Sequence, residues 1–103
     1  MSLSDQLLAR FLPRFQGLAR ERIAGAREMA IAKRRERAEA VARDMHSLAG
    51  EAGLLGLDSI VGVARRAEEA AARFGRTGSD ADSAAVVEGI DALARELDAT
   101  DAL

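Results

Sequence analysis

The segment MHSLAGEAGLLGL, residues Met45–Leu57, contains the features that decide the fold. It holds the only histidine of the 103-residue chain, His46, in a region whose apolar residues otherwise repeat as in a helix. Three glycines follow the histidine within ten residues: Gly50, Gly53 and Gly56. A glycine inside a helix costs about 1 kcal/mol relative to alanine, so this cluster requires an explanation.

The apolar residues in and around this segment recur at helical spacing: Val41, Met45, Leu48, Ala52 and Leu55. They predict a helix over about residues 36–55 with one face toward a core, and the glycine at position 56 is a suitable terminator. Each residue of a helix is rotated by about 100° from the one before it. Measured around the helix axis from the centre of the apolar stripe, the histidine lies near 140° and the glycines at 50 and 53 near 180° and 120°. The histidine therefore points away from the core, beside bare backbone that another molecule can approach closely.

The rest of the chain also predicts helices. Proline 13 interrupts an apolar pattern, so we expect a short helix before it and an amphipathic helix after it, ending within residues 31–37. A further helix should begin near Asp58 and end in a loop at Gly75–Gly78, and a last helix should begin at Ser79, Asp80 or Asp82. Few residues are aromatic or β-branched, which favours helix over sheet. We predict an all-α fold, an antiparallel four-helix bundle with a short N-terminal helix, as a single domain over residues 1–103.

The composition narrows the possible functions. The net charge of −2 argues against a nucleic-acid-binding surface, and no apolar run approaches the length that spans a bilayer. The chain has no cysteine, and a single histidine gives little basis for a metal site. Since the first residues do not resemble a secretion signal, we expect a cytoplasmic protein.

The spacing of His46, Leu48, Gly50 and Gly56 resembles the core motif of the histidine-containing phosphotransfer (HPt) domain family. That motif has leucine or isoleucine at +2 from the histidine, lysine at +3, and glycine at +4 and +10. The chain reads HSLAGEAGLLG here, and its length and helical pattern also look like that family. It departs from the motif at +3, where Ala49 replaces the lysine.

The resemblance implies that His46 is the catalytic nucleophile, accepting a phosphoryl group from the aspartate of one receiver domain and passing it to another. The implied partners are response-regulator receiver domains and a hybrid histidine kinase, with Mg²⁺ supplied by the receiver and no cofactor or metal held by this chain. The expected partner-binding residues around the histidine are Arg43, Ala49, Gly50 and Gly53. Arg43, about one turn before the histidine, is our candidate to replace the missing lysine charge. We expect a monomer.

Two alternatives remain open. In the first, the histidine is an ordinary surface residue and the glycines only let a neighbouring helix pack closely, so the site has no chemical role. The chain could also be a helical adaptor that docks receiver domains or kinases without exchanging phosphate. The dimerisation domain of a sensor kinase fits less well, because such domains follow the histidine with an acidic residue and then a proline, whereas Ser47 follows it here. The chain has no Gly-rich phosphate loop, so we expect a phosphohistidine carrier rather than a kinase with its own ATP site.

Overall fold

The computed structural model describes residues 2–103 as a bundle of helices, and no strand occurs in that range. In chain order the elements are α1 (Leu3–Ile31), a 3₁₀ turn (Arg35–Arg37), α2 (Ala38–Leu54), α3 (Asp58–Thr77), α4 (Asp80–Ala99) and a final 3₁₀ turn (Thr100–Ala102). Each α-helix packs against two others, with α1 closing the ring against α4. This arrangement confirms the predicted all-α four-helix bundle.

The apolar stripes of the four helices meet in one core. In α4, the stripe that the sequence predicted is fully buried: Val86, Ile90, Leu93 and Leu97. In α2, the residues Val41, Met45, Leu48 and Ala52 are at most 3% exposed. Burial of apolar stripes spaced in this way supplies most of the stability of such helices, because an isolated helix of this length is marginal in water.

The prediction of a separate N-terminal helix before Pro13 is wrong. Those residues form the first turns of α1, which runs through Pro13 without interruption and is capped by Ser2. Proline lacks an N–H and its ring crowds the carbonyl one turn back, here that of Ala9. Both Ala9 and Pro13 face solvent, so water can satisfy the freed carbonyl, while Leu12 and Phe15 beside the proline hold the helix to the core.

Ion pairs on the surface of the bundle show the direction of α1 relative to α4. Arg20 lies 3.0 Å from Asp98 at one level, and Arg27 pairs with Asp91 at another. Residue numbers therefore rise along α1 as they fall along α4, which makes the two helices antiparallel. Exposed pairs of this kind contribute little to stability, about 0 to 1 kcal/mol each.

The turns between α2, α3 and α4 depend on left-handed glycines. Gly56 has φ of +73° between α2 and α3, and Gly78 has φ of +63° after α3, a conformation that costs glycine nothing. The prediction of a loop over Gly75–Gly78 was too long, because α3 continues to Thr77 and only Gly78 leaves the helix. Ser79 caps α4, one of the three starting points that we predicted.

No helix within residues 2–103 combines the length and apolar character needed to cross a membrane.

Candidate functional site

His46 lies near the middle of α2 with 78% of its side chain exposed. Its neighbours Met45 and Leu48 are fully buried and fix that face of α2 against the core. The sequence predicted this orientation from helical spacing alone. A neutral imidazole in such a position is accessible to a second molecule and has a lone pair available for nucleophilic attack.

The ring of His46 is held by one carboxylate from the neighbouring helix. Nδ1 of His46 lies 3.3 Å from both Oε1 and Oε2 of Glu68 on α3. An ionised carboxylate has only acceptor atoms, so in this contact Nδ1 carries the hydrogen and donates it. The lone pair of the neutral ring is then on Nε2, which forms no hydrogen bond or ion pair with residues 2–103.

The sequence did not indicate Glu68, because spacing within one helix says nothing about which residues of the next helix lie beside His46. The signal that could have found it is the hairpin formed by α2 and α3. His46 and Glu68 lie eleven residues before and after Leu57, and Gly53 and Val61 lie four residues before and after it. Because antiparallel helices pair positions equidistant from their turn, placing that turn at Leu57 brings Glu68 beside the histidine.

Gly50 and Gly53 are both exposed on the side of α2 that carries His46. A Cβ atom added at Gly50 would meet no atom within 4 Å, and one added at Gly53 would meet only Val61 Cγ2 at 3.8 Å. Neither glycine is therefore needed to let another helix of this chain pack closely. Their absence of side chains leaves the backbone beside the histidine open to an approaching molecule.

The structure places Arg43 on the exposed surface, as the sequence predicted, but buries Ala49. The side chain of Arg43 is 69% exposed, but its Nη1 lies 3.2 Å from Oε1 of Glu39, one turn further from His46. Ala49 is only 5% exposed, so its side chain is not part of the surface around the histidine, contrary to our expectation. The reason is that position 49 lies about 80° from the centre of the apolar stripe, where α3 covers it.

An exposed apolar groove lies further along the same side of α2. It is formed by residues of α1 and of the end of α2, mostly apolar with two charged ones among them: Leu7, Phe11, Arg14, Phe15, Leu18, Glu51, Leu54 and Leu55. Leu54 is 82% exposed and follows Gly50 by one helical turn. Contiguous exposed apolar surface of this kind is typical of protein-binding sites.

No group of three or more His, Asp or Glu side chains in residues 2–103 is arranged to hold a metal ion.

In comparisons with known proteins, a family model described as Hpt domain matches residues 6–102 of the chain. No curated protein and no solved structure matches it.

Proposed function

The chain belongs to the Hpt domain family, which has a histidine phosphotransfer role in two-component signalling, and we propose that His46 is its phosphoryl-accepting residue. In this proposal the protein relays a phosphoryl group between the aspartates of two receiver domains. The observation that carries it is the His46 side chain, which is 78% exposed and has Nδ1 next to Glu68 while Nε2 forms no hydrogen bond with residues 2–103.

The proposed step forms a bond between Nε2 of His46 and the phosphorus of an aspartyl phosphate. As that bond forms, the bond between phosphorus and the aspartyl oxygen breaks, and its electron pair leaves with the aspartate carboxylate. The ring keeps its Nδ1 hydrogen and gains a positive charge, so the total charge of the two proteins is unchanged. Transfer to the second receiver is the reverse of this step.

Glu68 has two roles in this step. By accepting a hydrogen bond from Nδ1–H it favours the tautomer that leaves Nε2 as the nucleophile. Its negative charge also favours the positively charged ring that forms on phosphorylation. Glu68 is thus a positioning residue that acts through the histidine, while the receiver supplies its own Mg²⁺ and acidic residues for the phosphoryl oxygens.

The proposed receiver-docking surface centres on His46 and includes Arg43, Gly50 and Gly53. The apolar groove next to Leu54 extends this surface toward α1. One copy of the chain is sufficient for transfer, because the histidine and its carboxylate partner come from the same molecule. We place this activity in the cytoplasm with a hybrid histidine kinase as the upstream partner.

The test is intact-mass analysis after incubation with phosphoramidate, a small phosphoryl donor that needs no receiver. We expect the wild type to gain one phosphate that is labile in acid and stable in base, and His46→Gln to gain none. Absence of phosphate on the wild type, while a known phosphotransfer domain is modified alongside it, would contradict the proposal. A helical adaptor that docks receivers without exchanging phosphate would then be the better description.

A further inference from the structure

We propose that Arg65 of α3 contacts the phosphoryl group on His46 and stabilises its negative charge. This inference rests on the proposed function of His46. A phosphoryl group in transfer spreads negative charge over three oxygens. On α2, the residues that follow the histidine by three and four positions are Ala49 and Gly50, and neither carries a positive charge. A cation at this position has to come from another helix.

The register of the α2 and α3 hairpin places Arg65 at that level. Ala49 and Arg65 lie eight residues before and after Leu57. They fall between the contacting pair His46–Glu68 and the pair Gly53–Val61, where a Cβ added to the glycine would lie 3.8 Å from Val61 Cγ2. Arg65 is also four residues after Val61 and three before Glu68, so these α3 residues share one face. Its Cα is therefore only about 4.5 Å further along the bundle than that of Glu68.

The guanidinium of Arg65 is available for this contact. Arg65 is exposed and forms no hydrogen bond or ion pair with any of residues 2–103. Spacing of three residues on a helix would allow it to pair with Glu68. That carboxylate is instead directed at His46, with both oxygens 3.3 Å from Nδ1.

Arg43 is the competing candidate, and its surroundings make it the weaker one. Its guanidinium is paired with Glu39, which draws it away from the Gly50 side of the histidine. Arg65 has no such partner, and the hairpin register places it opposite Ala49, next to the open backbone at Gly50 over which an incoming receiver would lie. Planar guanidinium groups bind phosphoryl oxygens through paired hydrogen bonds, so an arginine suits this position.

The experiment compares Arg65→Gln with Arg66→Gln in the rate of phosphorylation by phosphoramidate. Arg66 is the matched control, because it is an exposed arginine on α3 whose Nη1 lies beside Gly62 instead of the histidine. We expect Arg65→Gln to be slower than wild type by about tenfold, equivalent to about 1.4 kcal/mol, and the control to be within about twofold. Arg65→Lys should recover part of the loss, because it restores the charge without the planar fork.

A second readout separates direct contact from a structural effect. The ³¹P resonance of phosphorylated His46 should titrate at higher pH in Arg65→Gln than in wild type, because a nearby cation favours the dianionic phosphoryl group. Equal rates and equal ³¹P titrations for the two Gln variants would overturn the assignment to Arg65, and slowing in Arg43→Gln alone would assign the role to that residue. If the wild type takes up no phosphate at all, the proposed function itself fails.

Discussion

Nδ1 of His46 lies 3.3 Å from each carboxylate oxygen of Glu68, which links the middle of α2 to the middle of α3. The contact occupies one ring nitrogen and leaves the other without a hydrogen-bond partner in residues 2–103. In the proposed transfer this contact selects Nε2 as the attacking nitrogen, and the residue that makes it is 22 positions away in the sequence. Because Glu68 is partly buried and His46 is largely exposed, the carboxylate is fixed by the bundle and the ring is oriented by the carboxylate.

Replacing Glu68 should alter both the tautomer of His46 and its phosphorylation. In Glu68→Ala we expect ¹⁵N NMR to show a mixture of neutral tautomers, and phosphoramidate to react about tenfold more slowly, since a charged hydrogen bond worth about 1.4 kcal/mol is lost. Glu68→Gln retains an acceptor oxygen and should keep the tautomer while losing the charge. The neighbouring exposed residue provides the control, Glu69→Ala, and an equal effect of both alanine variants would contradict the role given to Glu68.

A substitution in the apolar groove should change the binding of a receiver domain without changing the reactivity of His46. Leu54→Gln should weaken binding of a receiver domain that accepts phosphate from the protein by about tenfold, because a large exposed apolar contact is lost. Its reaction with phosphoramidate should be unchanged, since the small donor does not touch the groove. Ile31→Gln is the matched control, because Ile31 is 66% exposed but lies outside the groove, at the end of α1. Unchanged receiver affinity in Leu54→Gln would exclude the groove from the docking surface.

Two helical glycines should respond differently to replacement by alanine. Gly50→Ala should raise the free energy of unfolding by about 0.5 to 1 kcal/mol, because the added Cβ meets open space and alanine is the better helix former. Gly89→Ala should raise the free energy of unfolding by less than Gly50→Ala does, or lower it, because the added Cβ would lie 3.3 Å from the Cα of Ala67. Urea denaturation measures both values. A larger gain at Gly89 than at Gly50 would contradict this description of the α2 surface.

Because there is open space around Gly50, a bulky substitution there can test whether the receiver covers this face of α2. Gly50→Leu should fold as well as the wild type and should block phosphoryl transfer from a receiver, because the leucine would stand beside His46 on the docking side. Phosphoramidate should still modify the variant. Normal transfer from a receiver would show that the receiver does not cover this face of α2.

The features of the site that depend on one helix could be predicted from the sequence. Helical spacing placed His46 opposite Met45 and Leu48, and the structure has the first exposed and the other two buried. Position 49 is an intermediate case, at the edge of the apolar stripe. Whether such an edge residue is exposed depends on the neighbouring helix, which periodicity within α2 does not describe.

The features that depend on two helices, or on a balance of energies, were missed. The contact between His46 and Glu68 requires the register of the α2 and α3 hairpin, which a search along one helix does not use. The continuity of α1 through Pro13 depends on the burial of Leu12 and Phe15, close to the proline in sequence, which outweighs the local cost of the proline. Local propensity predicted a break there because it does not include packing.

The acid sensitivity of the fold should depend on Asp82, at the start of α4. Hydroxyl donors from Thr77 and Ser79 hold the pKa of this carboxyl below its usual range, with the largest effect from Thr77. Since the folded pKa is the lower one, the ionised carboxylate stabilises the fold above the unfolded pKa. That contribution is lost as the pH falls from the usual range of an aspartate through the lowered value.

Asp82→Asn should therefore be less stable than the wild type at neutral pH and should lose less stability on acidification. Denaturation at pH 7 and at about pH 3 measures this difference, since the usual carboxyl range of an aspartate lies near pH 4. Asp44→Asn is the matched control, because Asp44 is exposed on α2 and forms no hydrogen bond or ion pair through its side chain within residues 2–103. Asp80, whose pKa is also lowered, by its hydrogen bond to Lys33, remains in both variants and contributes equally to each curve. Parallel pH dependences for wild type and Asp82→Asn would show that the hydroxyl contacts at the start of α4 do not favour the ionised carboxylate.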